Sequence, residues 1–266
     1  QQTINEWLKT SQNSTLNLNK IESKSRLTNK LWTKKVRLFP RCLERAAELL
    51  GSRHYMYKVI MARSKFFEGY LLANSSNNPD AEMGYRAFSF LRQSLDWLPD
   101  QPHVYWQMSQ VYASLIPRPD SLEYYTRKAL ELIPNWTFAC CDAAFNISNK
   151  FKMFDRAESY LNQASMLDSA SLLLKNAWGS IYSITHRYRE AEMIFNKVVQ
   201  YDSTYLYAFY NLGIMYSEVH NFEKAEAAFK KVIQLDSTLA LPWNNLGKVF
   251  ADTRRFDSAE TVFKKA

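Results

Sequence analysis

From residue 155 to the end of the chain, apolar positions recur with two nested periods. The short one is helical: Ala225, Phe229 and Val232 fall at i, i+4 and i+7, a stripe that predicts an amphipathic helix. The stripe Phe209, Leu212, Gly213 and Tyr216 predicts another just before it. Between the two lies a short polar turn, Glu218–Val219–His220–Asn221. The long period is 34 residues. Ala157, Ala191, Ala225 and Ala259 are each followed by Glu, preceded three residues earlier by Phe154, Tyr188, Phe222 and Phe256, and followed four later by Leu161, Phe195, Phe229 and Phe263. Trp178–Gly179, Leu212–Gly213 and Leu246–Gly247 repeat at the same step, as do Tyr182, Tyr216 and Phe250. Asp168–Ser169, Asp202–Ser203 and Asp236–Ser237 close three of the units.

Each unit therefore predicts two helices. The glycine and alanine columns let the pair approach closely, and the aromatic columns fill the space beside them. The Asp–Ser pair is expected to stop one helix and cap the next. One such hairpin cannot bury its own apolar face, so neighbours must stack into a solenoid.

These columns resemble the tetratricopeptide repeat, whose aromatic, Leu–Gly, Tyr, Ala and Phe pattern stands here as Phe209, Leu212–Gly213, Tyr216, Ala225 and Phe229, and again as Trp243, Leu246–Gly247, Phe250, Ala259 and Phe263. Serine occupies the place of the family's usual proline after the second helix, at 169, 203 and 237. The resemblance implies an all-α, right-handed superhelical solenoid with a helical N-terminal cap. It divides the chain into a basic cap or extension at 1–53, a divergent hairpin at 54–99, and five repeats over 100–266, the last truncated. Residues 103–134 follow the template with an extra residue near Ile116–Pro117–Arg118–Pro119, and the next copy carries Phe145 where glycine is usual, so its helices are expected to splay. Tyr55–Leu72 and Met83–Leu98 are the expected helices of the divergent hairpin, and Arg41–Leu50 an amphipathic helix after Pro40.

Composition agrees with long helices: 47% hydrophobic and 15% aromatic residues supply a core, while 6 Gly and 8 Pro are too few for an array of short strands. No apolar run approaches the length needed to cross a bilayer, and a cytoplasmic location is the expectation. Because the chain opens on Gln and stops inside a repeat, it reads as a piece of something longer. The formal charge of +8 is concentrated at the front, with ten Lys/Arg against four Asp/Glu in residues 1–50. Lys20, Lys24, Arg26, Lys30, Lys34, Lys35 and Arg37, with Trp32 to stack, could meet an anionic surface. A solvated cap is the preferred reading, and nucleic acid is not the expected partner.

Catalysis finds no constellation. His54, His103, His186 and His220 are scattered, with the last two in equivalent turns. Cys42, Cys140 and Cys141 lack metal spacing and read as buried, inert thiols. The chain is expected to be non-catalytic, with no metal and no cofactor. What the resemblance implies instead is a protein or peptide partner, held on the concave surface formed by the first helices, with self-association and the regulatory arm of an enzyme outside this sequence as alternatives. The expected lining is Trp106, Gln107 and Gln110; Asp142, Asn146 and Lys150; Asn176 and Ser180; Tyr207, Tyr210 and Asn211; Asn244, Asn245 and Lys248. Amides both donate and accept, so they can grip a peptide backbone whatever its side chains. Two lysines separated by two units do not make the family's clamp for a C-terminal carboxylate.

Overall fold

The computed structural model describes residues 40–54, 56–74 and 80–266. The basic front and its Trp32 lie outside the described residues. The described residues form helices and no strands, and they cluster into two compact units, 40–203 and 204–266.

In the first unit residues 40–50 are helical (α1). Four antiparallel hairpins follow: α2 (Tyr57–Asn74) with α3 (Ala81–Trp97), α4 (Pro102–Ser114) with α5 (Pro119–Leu132), α6 (Thr137–Phe151) with α7 (Phe154–Leu167), and α8 (Leu172–Ile184) with α9 (Tyr188–Tyr201). Each hairpin packs on the next, α3 on α4, α5 on α6 and α7 on α8, while α6 touches both α4 and α8. The second unit holds α10 (Leu206–Glu218) with α11 (Phe222–Leu235) and α12 (Ala240–Asp252) with α13 (Phe256–Phe263).

The 34-residue columns are the core. Ala157, Ala164, Ala191, Ala225, Leu161, Phe195, Phe229, Val198 and Val232 are all buried. Glycine is required where a first helix meets the ring of its second. A Cβ at Gly179 would lie 2.6 Å from the Phe195 ring, and one at Gly213 2.6 Å from that of Phe229. In the unit that carries Phe145 the facing residue is Leu161, not phenylalanine, so no ring claims that space, and Phe145 stands 46% exposed. The extra residue near Ile116 has a packing role too: Leu115 and Ile116 are buried and press on the bare backbone of Gly84.

The turns of the last four hairpins each place a non-glycine residue in the left-handed region: Lys152 (φ 57°), His186 (φ 60°), His220 (φ 58°) and Arg254 (φ 60°). At the last three the helix ends in a Schellman motif. Around His220, the Asn221 amide donates to Tyr216 O at 2.8 Å and the His220 amide to Ser217 O at 3.1 Å; Arg187 and Arg255 repeat the first bond to Tyr182 O and Phe250 O. The same aromatics carry a cation over their rings: Arg187 on Tyr182 (4.1 Å), Lys224 on Tyr216 (4.9 Å) and Arg255 on Phe250 (4.5 Å). This accounts for the Tyr/Phe column that ends each first helix.

Between hairpins the aspartate, not the serine, organises the turn. Asp168 Oδ1 accepts from the amides of Ala170 and Ser171 at 3.1 Å each, and Asp236 Oδ1 from that of Thr238 at 2.9 Å. The caps of the following helices fall at Ser171, Tyr205 and Leu239, so Ser169, Ser203 and Ser237 do not serve as caps. Asp80 does cap α3, accepting from the Met83 amide at 2.7 Å. At the front, Ser64 Oγ donates to Pro40 O and Lys65 bridges Glu44 and Glu68, tying α1 to α2. Ala47 is fully buried there, whereas Cys42 and Leu49 are exposed, which corrects the expectation that Cys42 is an interior thiol.

Candidate functional site

The residues expected to line a binding face all sit on first helices, in two separate sets. In the first unit α4 and α6 lie side by side and are laced by side chains 32–37 positions apart in the sequence. The indole of Trp106 donates to Asp142 Oδ2 at 3.1 Å, and the Gln110 amide donates to the same oxygen. Asn146 donates to Gln110 Oε1 at 3.4 Å and to the Asp142 carbonyl at 3.0 Å. Lys150 donates to Ala113 O at 3.0 Å and to Ser114 Oγ at 3.2 Å, at the C-terminal end of α4 where helix carbonyls lack intrahelical partners.

This arrangement changes the expected lining in one respect. Gln107 is 3% exposed and Asn146 6%, so neither presents a surface. Both belong to the interior, Asn146 through its bond back to Gln110 on α4. Asp142 lies half-buried. Desolvation pushes its carboxyl up to about 6, against the opposing pull of the Trp106 and Gln110 hydrogen bonds and the more distant Lys150 ammonium. Aromatics gather beside it: the Trp106 ring meets Phe138 edge-on at 5.6 Å and Trp136 at 6.1 Å. On α8, Asn176 and Ser180 are half-buried, and Ser180 Oγ turns back to Asn176 O at 3.0 Å.

In the second unit Tyr207, Tyr210 and Asn211 lie on α10, and Asn244, Asn245 and Lys248 on α12. Asn245 donates to the Tyr210 hydroxyl at 3.0 Å, and the Tyr210 ring packs edge-on against Phe229 at 6.0 Å. Tyr210 is thus partly a core residue. Tyr207 (57% exposed) and Lys248 face solvent.

The scattered titratable groups are used structurally. Burial lowers His103 to about 4, with Arg63 adding to the effect, so its ring is neutral and packs edge-on against Phe66 at 5.0 Å. Burial raises the thiols of Cys140 and Cys141 to about 11 and about 12, which keeps them protonated. His186 Nδ1 pairs with the Tyr188 hydroxyl at 2.6 Å. Among the described residues no group of three His, Cys, Asp or Glu could hold a metal, and no helix is long and apolar enough to cross a membrane.

One feature escaped the sequence reading. On the second helices α5 and α7 a shallow depression of about 430 Å³ is lined by Glu123, Arg127, Leu130, Glu131, Arg156, Ser159, Tyr160 and Gln163. Arg156 spans it to Asp120 (3.0 Å) and Glu123 (3.1 Å), while Glu131 is paired with Lys128 (2.7 Å). The signal was present as complementary charges 33 and 36 positions apart, close to one repeat. The two Arg156 pairs tie α7 to α5, whereas the Lys128–Glu131 pair lies within α5.

Stacked antiparallel hairpins with small-residue seams define an all-α solenoid of the helical-repeat class. Residues 206–239 match the model of the family described as tetratricopeptide repeat, so the chain contains a tetratricopeptide repeat there. No curated protein matches it in sequence. Solved structures share the fold. A tetratricopeptide repeat protein from Parabacteroides merdae is 14% identical, with 85% of this chain and 91% of that one covered at a TM-score of 0.61. PilW, titled a widely conserved type IV pilus biogenesis factor, is 13% identical, with 76% and 90% covered at 0.55. Human IFIT1, solved as a dimer with m7Gppp-AAAA, is 16% identical at 0.60; 86% of this chain is covered, but only 54% of IFIT1. At such identities the likeness is one of fold alone. The fold is that of a protein-interaction scaffold.

Proposed function

We propose that the chain holds a segment of a partner protein against the exposed faces of its first helices, and does so without catalysis, as is typical of this fold. The observation that carries the reading is in residues 204–266. There Tyr207 stands in solvent, and the Asn244 side chain makes no hydrogen bond to any described residue, whereas α11 of the same unit buries Ala225, Phe229 and Val232. An exposed aromatic on α10 and an unspent amide on α12 supply contact area at low entropic cost and a ready donor–acceptor pair. With Lys248 its one charge among the expected lining residues, the face suits an extended segment read through its backbone.

The test places photoreactive p-benzoylphenylalanine at Tyr207 and, in a second protein, at Gln234 on the exposed side of α11. Irradiation in the native cell extract should capture one partner from position 207 and none from 234. Asn244→Ala should cut the yield several-fold while stability stays within about 0.5 kcal/mol, as for a surface change. Capture from Gln234 alone, or equally from both positions, would refute the reading.

A further inference from the structure

Asp142 is the one carboxylate woven into the first-helix lacing of α4 and α6. Trp106 and Gln110 both donate to its Oδ2, and the Asn146 amide adds a weaker side-chain contact. None of these donors carries a charge, and Asp142 makes no ion pair with a described residue. The nearest cation on the face, Lys150, spends its ammonium on Ala113 O and Ser114 Oγ. Neutral donors alone do not compensate a full negative charge removed from water, and the carboxyl's upward shift registers that deficit. Phe138 lies one helical turn before Asp142 on the same helix face, in edge contact with the Trp106 ring that donates to the carboxylate. A carboxylate set beside indole and phenyl rings is the chemistry that receives an ammonium or guanidinium group, by charge and by cation–π attraction.

We infer that Asp142, flanked by Trp106 and Phe138, is the anchor for a lysine or arginine side chain of the bound protein segment. This rests on the first-helix face being where that segment binds, and it adds a charge requirement at one position of the segment. Charge complementarity decides the occupant: an acidic side chain would meet an uncompensated carboxylate, whereas a cation completes it.

The test uses the whole chain labelled with ¹⁵N and follows the Trp106 indole N–H, assigned by its loss in Trp106→Phe. The probes are N-acetyl-arginine amide and its neutral isostere N-acetyl-citrulline amide. The arginine probe should shift the indole resonance along a saturable curve, with at least tenfold tighter apparent binding than citrulline. Asp142→Asn should reduce the arginine response to the citrulline level. Equal responses to the two probes, no response to either, or an arginine response surviving in Asp142→Asn would each overturn the assignment. The probe comparison is made on the unaltered protein, so it stands even if Asp142→Asn does not fold. Photocapture from position 207 is scored separately in the Asp142→Asn chain. If the unaltered chain captures the partner but shows no arginine preference, the anchor is wrong and the scaffold reading survives. Loss of capture in the unaltered chain removes both.

Discussion

Replacing Gly213 by alanine sets a methyl carbon 2.6–2.8 Å from three atoms of the Phe229 ring. The ring is 1% exposed and has nowhere to go, so either the two helices separate or the ring leaves its rotamer. Overpacking of this kind costs on the order of 1–3 kcal/mol. Alanine's better helix propensity returns roughly 0.5–1 kcal/mol, leaving a net loss of about 1–2 kcal/mol, or a few degrees in Tm for a chain of this size. The α6–α7 hairpin offers the contrast: Leu161 stands there in place of the ring, and Phe145, in place of the glycine, is 46% exposed. Phe229→Leu alone leaves a void and should cost about 1–2 kcal/mol. In the double variant the alanine methyl enters that void. The two losses should then fail to add, with a coupling of about 1 kcal/mol or more. Urea unfolding followed by circular dichroism on the four proteins measures the cycle. Strict additivity, or a Gly213→Ala protein as stable as the parent, would refute a steric reason for the glycine column.

Two further predictions concern pH and the turns. Asp142 is raised to about 6 in the fold, so its contribution to stability is present below the unfolded value and is lost as pH rises through 6. His103 is lowered to about 4, so its contribution is present above the unfolded value and is lost as pH falls toward 4. The two oppose each other between pH 4 and 6.5. Relative to the parent, Asp142→Asn should gain stability with rising pH across that window, by up to about 2–3 kcal/mol, and His103→Phe should show the opposite slope; parallel curves would be evidence against both assignments. At the turn, His220→Gly removes a side chain from the left-handed region and should raise stability by up to about 1 kcal/mol, less whatever the edge contact of His220 with Phe222 at 5.6 Å contributes. A loss greater than 1 kcal/mol in thermal unfolding would show that the ring contact outweighs the backbone strain.

The hairpins, their spacing and the seam between first and second helix were legible in the amino-acid sequence because a repeat array is nearly one-dimensional. Each apolar column meets residues at a constant offset, as Gly213 meets Phe229 and Gly179 meets Phe195. Periodicity in the chain therefore becomes periodicity in space. The Tyr182, Tyr216 and Phe250 column was legible as packing, though not as a platform for Arg187, Lys224 and Arg255. What the tertiary structure alone decided is the state of the polar face. Gln107 and Gln110 are both amides on α4, three positions apart, yet the first is sealed inside and the second reaches across to Asp142. Asn146, expected at the surface, is interior, and the left-handed turn residues follow no glycine signal. The physical reason is reach. Apolar burial follows from helix phase, whereas the fate of a polar side chain depends on the distance and angle at which a helix about 34 residues away passes it. That geometry is set by the summed volumes of every residue in the seam, and no single position encodes it.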